Sequence, residues 1–202
     1  MKKRGIFICI EGLDGSGKTT HAHRLVQNLE DKGFDAVYTT EPSRGEFGRY
    51  IRTSVLQGEK RLPRVVEAFL FAVDRVDHLE KEVKPALREG KIVVSDRYVY
   101  SSLAYQGAAG LDLHWIKKIN RLAIPPDLAI YIDVPPEVVV KRIRREKSVM
   151  ETLETQRKVR EVYMMFVENG QLLPFNGDRK KSEVAKDISQ MVLDFLKNRD
   201  YS

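Results

Sequence analysis

Eight residues near the start settle most of what this chain can become. Gly12-Leu13-Asp14-Gly15-Ser16-Gly17-Lys18-Thr19 matches G-x-x-x-x-G-K-[ST], and it lies between the apolar run Ile6–Ile10 and the helically periodic segment His21–Leu29. An apolar strand, a glycine-rich loop and a helix in that order give the pattern a physical meaning. The glycines let successive backbone N–H groups turn inward around phosphates, and the helix N-terminus adds partial positive charge. Lys18 then reaches the β- and γ-phosphates of a nucleotide, and the Thr19 hydroxyl is placed to ligate Mg²⁺. Gly12, Leu13, Asp14, Gly15, Ser16, Gly17, Lys18, Thr19 and Thr20 are therefore read as an ATP-binding loop. A glycine-rich turn without a ligand is the alternative, and the coincidence of motif and context sets it aside.

The remainder of the 202 residues alternates short apolar runs with longer helical segments. The runs are Gly5–Ile10, Ala36–Thr40, Lys91–Ser95, Leu128–Asp133 and Leu172–Phe175. Val159, Val162, Tyr163, Phe166 and Val167 recur at helical spacing, as do Val184, Ile188, Met191, Val192, Phe195 and Leu196. Short connections make parallel strands with right-handed helical crossovers the economical topology. The expectation is an α/β P-loop NTPase fold, a five-stranded parallel sheet with helices on both faces, built as one domain over residues 1–202.

No apolar run approaches the ~20 residues of a membrane helix, and Ile6–Ile10 stops at Glu11, which predicts a cytoplasmic protein. Cys9 is the single cysteine, so no disulfide or multi-cysteine metal site can be built from it. A net charge of +6 suits an anionic ligand, but the basic residues are scattered among acids, which favours small phosphates over a groove for nucleic acid. The loop by itself identifies nucleotide binding and not a reaction. A regulatory GTPase would need a guanine-reading Asn-Lys-x-Asp stretch, and the chain has none.

A second group of residues points to an acceptor. Asp96-Arg97-Tyr98 ends the third apolar run, so a carboxylate and a guanidinium emerge where ligands of open α/β sheets bind. Asp96 can hold a water of the Mg²⁺ shell and Arg97 can bridge donor and acceptor phosphates, a surface ion pair being the plainer reading. Arg44, in the turn after the second run, is a further candidate contact to the acceptor phosphate. Val65 to Val76 reads as a helix whose core face is Val66, Phe69, Val73 and Val76. Phe71 and Arg75 lie four apart on the other side, where a ring beside a guanidinium makes a platform for a flat base. Packing of Phe71 against another helix satisfies the periodicity equally well.

With these pieces assembled, the chain resembles the prokaryotic thymidylate kinases from Ile6 to about Leu196. The likeness is carried by Glu11 to Thr20, by Phe71-Ala72-Val73-Asp74-Arg75, and by Asp96-Arg97-Tyr98 with Ser101-Ser102-Leu103-Ala104-Tyr105-Gln106-Gly107. The resemblance implies phosphorylation of dTMP to dTDP with ATP and Mg²⁺, a step toward dTTP, by a homodimer formed through helices flanking the substrate site. It implies that Phe71 stacks on thymine, that Arg75 bonds its carbonyl edge, and that Ser102, beside Ser101, faces the same base. Asp14 would meet the deoxyribose 3′-hydroxyl, Tyr105 would crowd the 2′ position, and Arg97 and Arg44 would hold the acceptor phosphate. Thr19 and Asp96 would serve the metal. A lid at about residues 143–152 would follow the helix Glu137 to Arg145, with Arg142 stacked on adenine.

Relatives whose loop lacks a basic residue after the Asp take catalytic arginines from the lid, and here Gly15 and Ser16 fill those positions. Arg144 and Arg145, with Lys147 beside them, are then the catalytic candidates that join Lys18 and Arg97. The chain departs from the family in two places. Glu146 to Glu151 lacks the usual Asp-Arg-Phe-Glu pattern, and Glu41-Pro42-Ser43-Arg44 mixes two forms of that turn. A deoxynucleoside kinase shares the loop but wants a general base and no second anion site, while a non-catalytic nucleic-acid binder would account for the basic charge.

Overall fold

The computed structural model describes residues 4–57, 62–143 and 152–199. Five strands form one sheet in the order β2-β3-β1-β4-β5, every neighbouring pair parallel. At its centre β1 (Ile6–Gly12) is buried at every residue. That explains its unbroken apolar sequence, since a central parallel strand is covered on both faces. β3 (Ile92–Asp96) pairs with one edge of β1, with Ile10 opposite Asp96, and β4 (Leu128–Asp133) pairs with the other, with Gly12 opposite Ile132. β2 (Ala36–Thr40) and β5 (Leu173–Asn176) close the two sides. All five strands fall where the apolar runs predict them, displaced by no more than two residues.

One face of the sheet is covered by α1 (Lys18–Glu30), which buries Ala22, Leu25, Val26 and Leu29, and by α9 (Lys181–Asn198), which buries Val184, Ile188, Val192 and Leu196. On the other face α5 (Val99–Ala108) packs against α8 (Leu153–Glu168), whose Val159, Tyr163 and Phe166 point inward. Both amphipathic stripes read from the sequence are therefore core. Shorter helices complete the shell: α2 (Glu46–Tyr50), which runs on into π-helical turns at Ile51–Leu56, α4 (Lys84–Arg88), α6 (Leu113–Ile119) and α7 (Pro136–Arg142). Among the described residues no helix is long and apolar enough to cross a membrane.

Two sequence expectations fail here. The long helix α3 (Arg64–His78) is turned the other way round: Val66, Phe69 and Val73 are exposed, and the buried residues are Glu67, Ala68, Ala72, Asp74, Arg75 and His78. Periodicity locates an apolar stripe but says nothing of what covers it, and the inward face of α3 is apolar only through two alanines. The helix expected to reach Arg145 stops at Arg142, where Ile143 turns extended. Arg144, Arg145, Lys147 and most of the expected lid lie outside the described residues.

The turn after β2 is held from three sides. Asp74 on α3 accepts from the Ser43 backbone N–H at 2.7 Å and from its hydroxyl at 2.6 Å. Arg52 donates to the carbonyls of Pro42 and Ser43, each at 2.5 Å. Gly48 of α2 presses so closely that a Cβ there would sit 1.9 Å from the Ser43 carbonyl oxygen. Gly48→Ala should therefore destabilise the fold by about 1–3 kcal/mol through overpacking. Urea unfolding measures this, and an unchanged midpoint would contradict the close approach.

Candidate active site

The loop between β1 and α1 keeps its glycines for evident reasons. Gly12, Gly15 and Gly17 have φ of 152°, 83° and 96°, the last as the residue capping α1. The first turn of α1 carries no acidic residue, so its partial positive charge faces the loop uncompensated. Lys18 is buried, its ammonium donating to the Leu13 carbonyl at 2.6 Å. Burial, with Arg97 nearby, pulls its pKa down to about 8. Asp14, Asp96 and Glu11 oppose that shift without cancelling it, and an arriving triphosphate would add to their negative charge.

Across from the loop, the ends of β1 and β3 bring a cluster together. The Thr19 hydroxyl donates to Asp96 Oδ2 at 2.5 Å, and Asp96 Oδ1 is buried with no hydrogen-bond partner among the described residues. A hydroxyl and a carboxylate with a spare oxygen are the hard donors that Mg²⁺ takes, so this pair fits the ion, directly or through water. Arg97 takes up the left-handed backbone with φ of 73°, the only described non-glycine residue to do so. Its guanidinium donates to an Asp14 carboxylate oxygen and, at 3.0 Å, to the Ser101 hydroxyl. Tyr105 donates to the other Asp14 oxygen at 2.9 Å and lies under the guanidinium, whose carbon is 5.2 Å from the ring centre. Burial is the largest influence and works against charge on Arg97, but Asp14, Tyr105, Tyr163 and Asp96 together outweigh it and hold its pKa well above the ordinary value. Burial and then Asp14 push Tyr105 up, so it remains an O–H donor.

Beside this cluster lies a second buried cation. Arg75 donates to Glu41 Oε2 through Nε at 2.9 Å and Nη2 at 2.6 Å, to Ser102 at 3.0 Å, and to Asn120. Glu41 is held in turn by His78, whose Nδ1 is 3.3 Å from Oε1 while its Nε2 meets the Thr39 hydroxyl at 2.6 Å. Phe71 is half-buried, on the side of α3 away from Phe69.

The structure thus gathers Asp14, Arg97, Ser101 and Tyr105 into one cluster, joins Thr19 to Asp96, and sets Arg75 against Ser102. It leaves Arg44 apart, exposed, its guanidinium 6.0 Å from the Tyr38 ring centre. Arg142 lies at the other end of the loop, where α7 packs over Gly15, and it pairs with Asp178 at 2.9 Å. The sequence shows Tyr163 only as part of a core stripe and Glu41 only as part of a turn, and it does not single out Asn120. Glu11 was read only as part of a motif, although a carboxylate at the end of a wholly buried strand is itself a signal.

Fold and loop together define a P-loop nucleotide-binding α/β protein, one in which the Arg97 guanidinium is paired with Asp14 of the loop. The family model described as thymidylate kinase matches residues 10–188. A "Probable thymidylate kinase" of Pyrococcus abyssi is 44% identical over 197 residues, covering 94% of this chain and 96% of its own. Proteins of the same description from Pyrococcus horikoshii and Pyrobaculum aerophilum are 47% and 42% identical, covering 82% and 92% of this chain and 84% and 95% of their own. The chain belongs to the thymidylate kinase family.

The buried pair and the exposed arginine separate cleanly in a stability measurement. Glu41→Ala leaves the Arg75 charge buried without its counter-ion and should cost about 3–5 kcal/mol. Arg44→Ala should stay within about 0.5 kcal/mol of wild type. Equal losses in denaturant unfolding would contradict the assignment.

Proposed function

We propose that the chain transfers the terminal phosphate of ATP to dTMP, giving dTDP on the way to dTTP, as a cytoplasmic enzyme with one domain and a lid at about residues 143–152. The observation that carries this reading is Arg97. Held by Asp14 of the loop and by Ser101, and near enough to Lys18 to help lower its pKa, its guanidinium suits a second anion beside the loop rather than a bare hydroxyl. A deoxynucleoside kinase has no use for such a site, and the scattered charge gives nucleic acid no groove.

In this reading the acceptor phosphate arrives already ionised, so no general base is needed. Catalysis consists of aligning the acceptor oxygen with the γ-phosphorus and neutralising the charge that spreads over the transferring group. Lys18 and Arg97 supply positive charge from the described residues, with Arg144 and Arg145 as the lid's contribution. Mg²⁺, carried with ATP and held by Thr19 and Asp96, would neutralise the β- and γ-phosphates. Arg142 would stack on adenine. The thymine would lie against Phe71, with Arg75 and Ser102 at its edge, Asp14 at the 3′-hydroxyl, Tyr105 at the 2′ position, and Arg44 a further contact to the acceptor phosphate. The Arg75 guanidinium suits an edge contact because Glu41 and Asn120 already fix its plane.

A coupled assay of ADP release with dTMP, thymidine, UMP and CMP tests this reading. dTMP should be preferred, and preference for the nucleoside would overturn it. Arg97→Ala should lower turnover roughly 10²-fold, the scale of losing one preorganised charge contact to the transition state. Unchanged turnover would remove Arg97 from the mechanism.

The same reading includes a homodimer. Val65, Val66, Phe69 and Val73 of α3 and Phe47 and Tyr50 of α2 are each 38–48% exposed, an apolar patch of the sort that marks an interaction site. The patch backs directly onto the face of α3 that carries Arg75, so pairing there would brace the base platform. Sedimentation should give a dimer for the wild type and a monomer for Phe69→Glu, and a monomeric wild type at tens of micromolar would contradict it.

A further inference from the structure

Glu11 sits at the end of the central strand, fully buried, yet its carboxylate is saturated with donors. Oε1 accepts from the backbone N–H groups of Tyr98 at 2.8 Å and Ser101 at 3.2 Å. Oε2 accepts from the hydroxyls of Ser101 at 2.6 Å and Tyr163 at 2.9 Å. Tyr98 is the residue capping α5, so the carboxylate accepts from N–H groups at that helix's start, the Ser101 N–H being shared with the Tyr98 carbonyl at 3.0 Å, and lies in its favourable field. Burial raises the Glu11 pKa, while Ser101, Arg97, Tyr163 and Tyr98 each work to keep it ionised.

A capping role alone does not require the second oxygen. Ser101 has one hydroxyl proton, and donating it to Oε2 leaves only lone pairs facing outward. One of those accepts from Arg97 Nη1 at 3.0 Å. Glu11 therefore fixes the direction of the Ser101 dipole, and that dipole fixes one side of the Arg97 guanidinium. The same carboxylate holds the Tyr98 backbone N–H, directly after Arg97 in its left-handed conformation, while the Arg97 N–H itself donates to the Ile10 carbonyl of the strand that carries Glu11, at 3.0 Å. When an acceptor phosphate displaces Asp14 from Arg97, the bond to Ser101 is the described side-chain hydrogen bond of the guanidinium that remains, with the Tyr105 ring beneath it.

We propose that Glu11 is a positioning residue for phosphoryl transfer, acting on Arg97 through the Ser101 hydroxyl, with Tyr163 completing the carboxylate's shell. This rests on the reading of Arg97 as a contact to the transferring or acceptor phosphate. The isosteric Glu11→Gln is the informative change. Its amide oxygen still serves the two backbone N–H groups, but the NH₂ then points at Ser101 and Tyr163. Ser101 then accepts from it, and its own proton must turn either to the Tyr163 oxygen 3.1 Å away or outward against the Arg97 donor, so the direction of the dipole that meets Arg97 is no longer fixed.

The test is a double-mutant cycle in kcat and kcat/KM for dTMP with Glu11→Gln, Arg97→Ala and their combination. Misplacing Arg97 predicts a fall in kcat of about tenfold to a hundredfold for Glu11→Gln. It further predicts no added loss in the Arg97→Ala background beyond about threefold. Losses that multiply, or wild-type kcat in Glu11→Gln, would overturn the proposal while leaving the role of Arg97 intact. Wild-type turnover in Arg97→Ala would sink that role and this proposal together. If Glu11→Gln does not fold, Ser101→Ala takes its place in the same cycle, with the same expected non-additivity and the same contradicting outcome.

Discussion

The register of β1 with its two neighbours is the constraint on which the rest depends. Because Ile10 lies opposite Asp96 and Gly12 opposite Ile132, the phosphate loop, the metal-suited carboxylate and the Arg97 turn all leave the sheet at one level. Parallel pairing makes this possible, since every strand then ends on the same edge. A slip of one residue would send Asp96 to the opposite face and break the Thr19 contact at 2.5 Å. β1 is also buried on both faces, so the hydrophobic core and the geometry of the site are one problem.

Packing several charges at that edge would be costly without balance. Lys18 and Arg97 are set among Glu11, Asp14 and Asp96, and the consequences are visible in the direction of their shifts: Lys18 is drawn down by burial, Arg97 held up by Asp14. Asp14 pairs with the guanidinium in the free protein, so under the proposed reading an incoming phosphate would exchange one anion for another and no bare cation would have to be buried. Arg75 follows the same rule with different partners, since Glu41 and Asn120 hold its guanidinium. Side chains fixed in advance lose little freedom on binding, which is how such a site combines affinity with alignment.

How much of this was legible in the sequence depended on how local the signal was. The phosphate loop is eight consecutive residues with its strand and helix attached, and it was readable in full. The strands followed from short β-rich runs between helical segments, and α8 and α9 from stripes that face the core. Helix α3 was misread because its apolar stripe of Val66, Phe69 and Val73 lies on the outside, while Arg75, His78 and Asp74 point in. A polar inward face announces itself only when its partners, Glu41 and Ser43, are placed beside it by folding. Glu11 and Tyr163 are separated by 152 positions, and nothing in either segment reveals that they meet. The family likeness supplied roles for Asp14, Tyr105 and Ser102 that spacing alone could not, and the catalytic candidates Arg144 and Arg145 fall outside the described residues.

The central claim is that two anion sites face each other across the end of β1, one in the loop and one at Arg97. The structure of the complex with dTMP and a non-hydrolysable ATP analogue tests this most directly. The account predicts the dTMP phosphate on Arg97, Ser101 still bonded to that guanidinium, and Asp14 released toward the sugar. Arg97 still paired with Asp14, with the dTMP phosphate bound elsewhere, would contradict it.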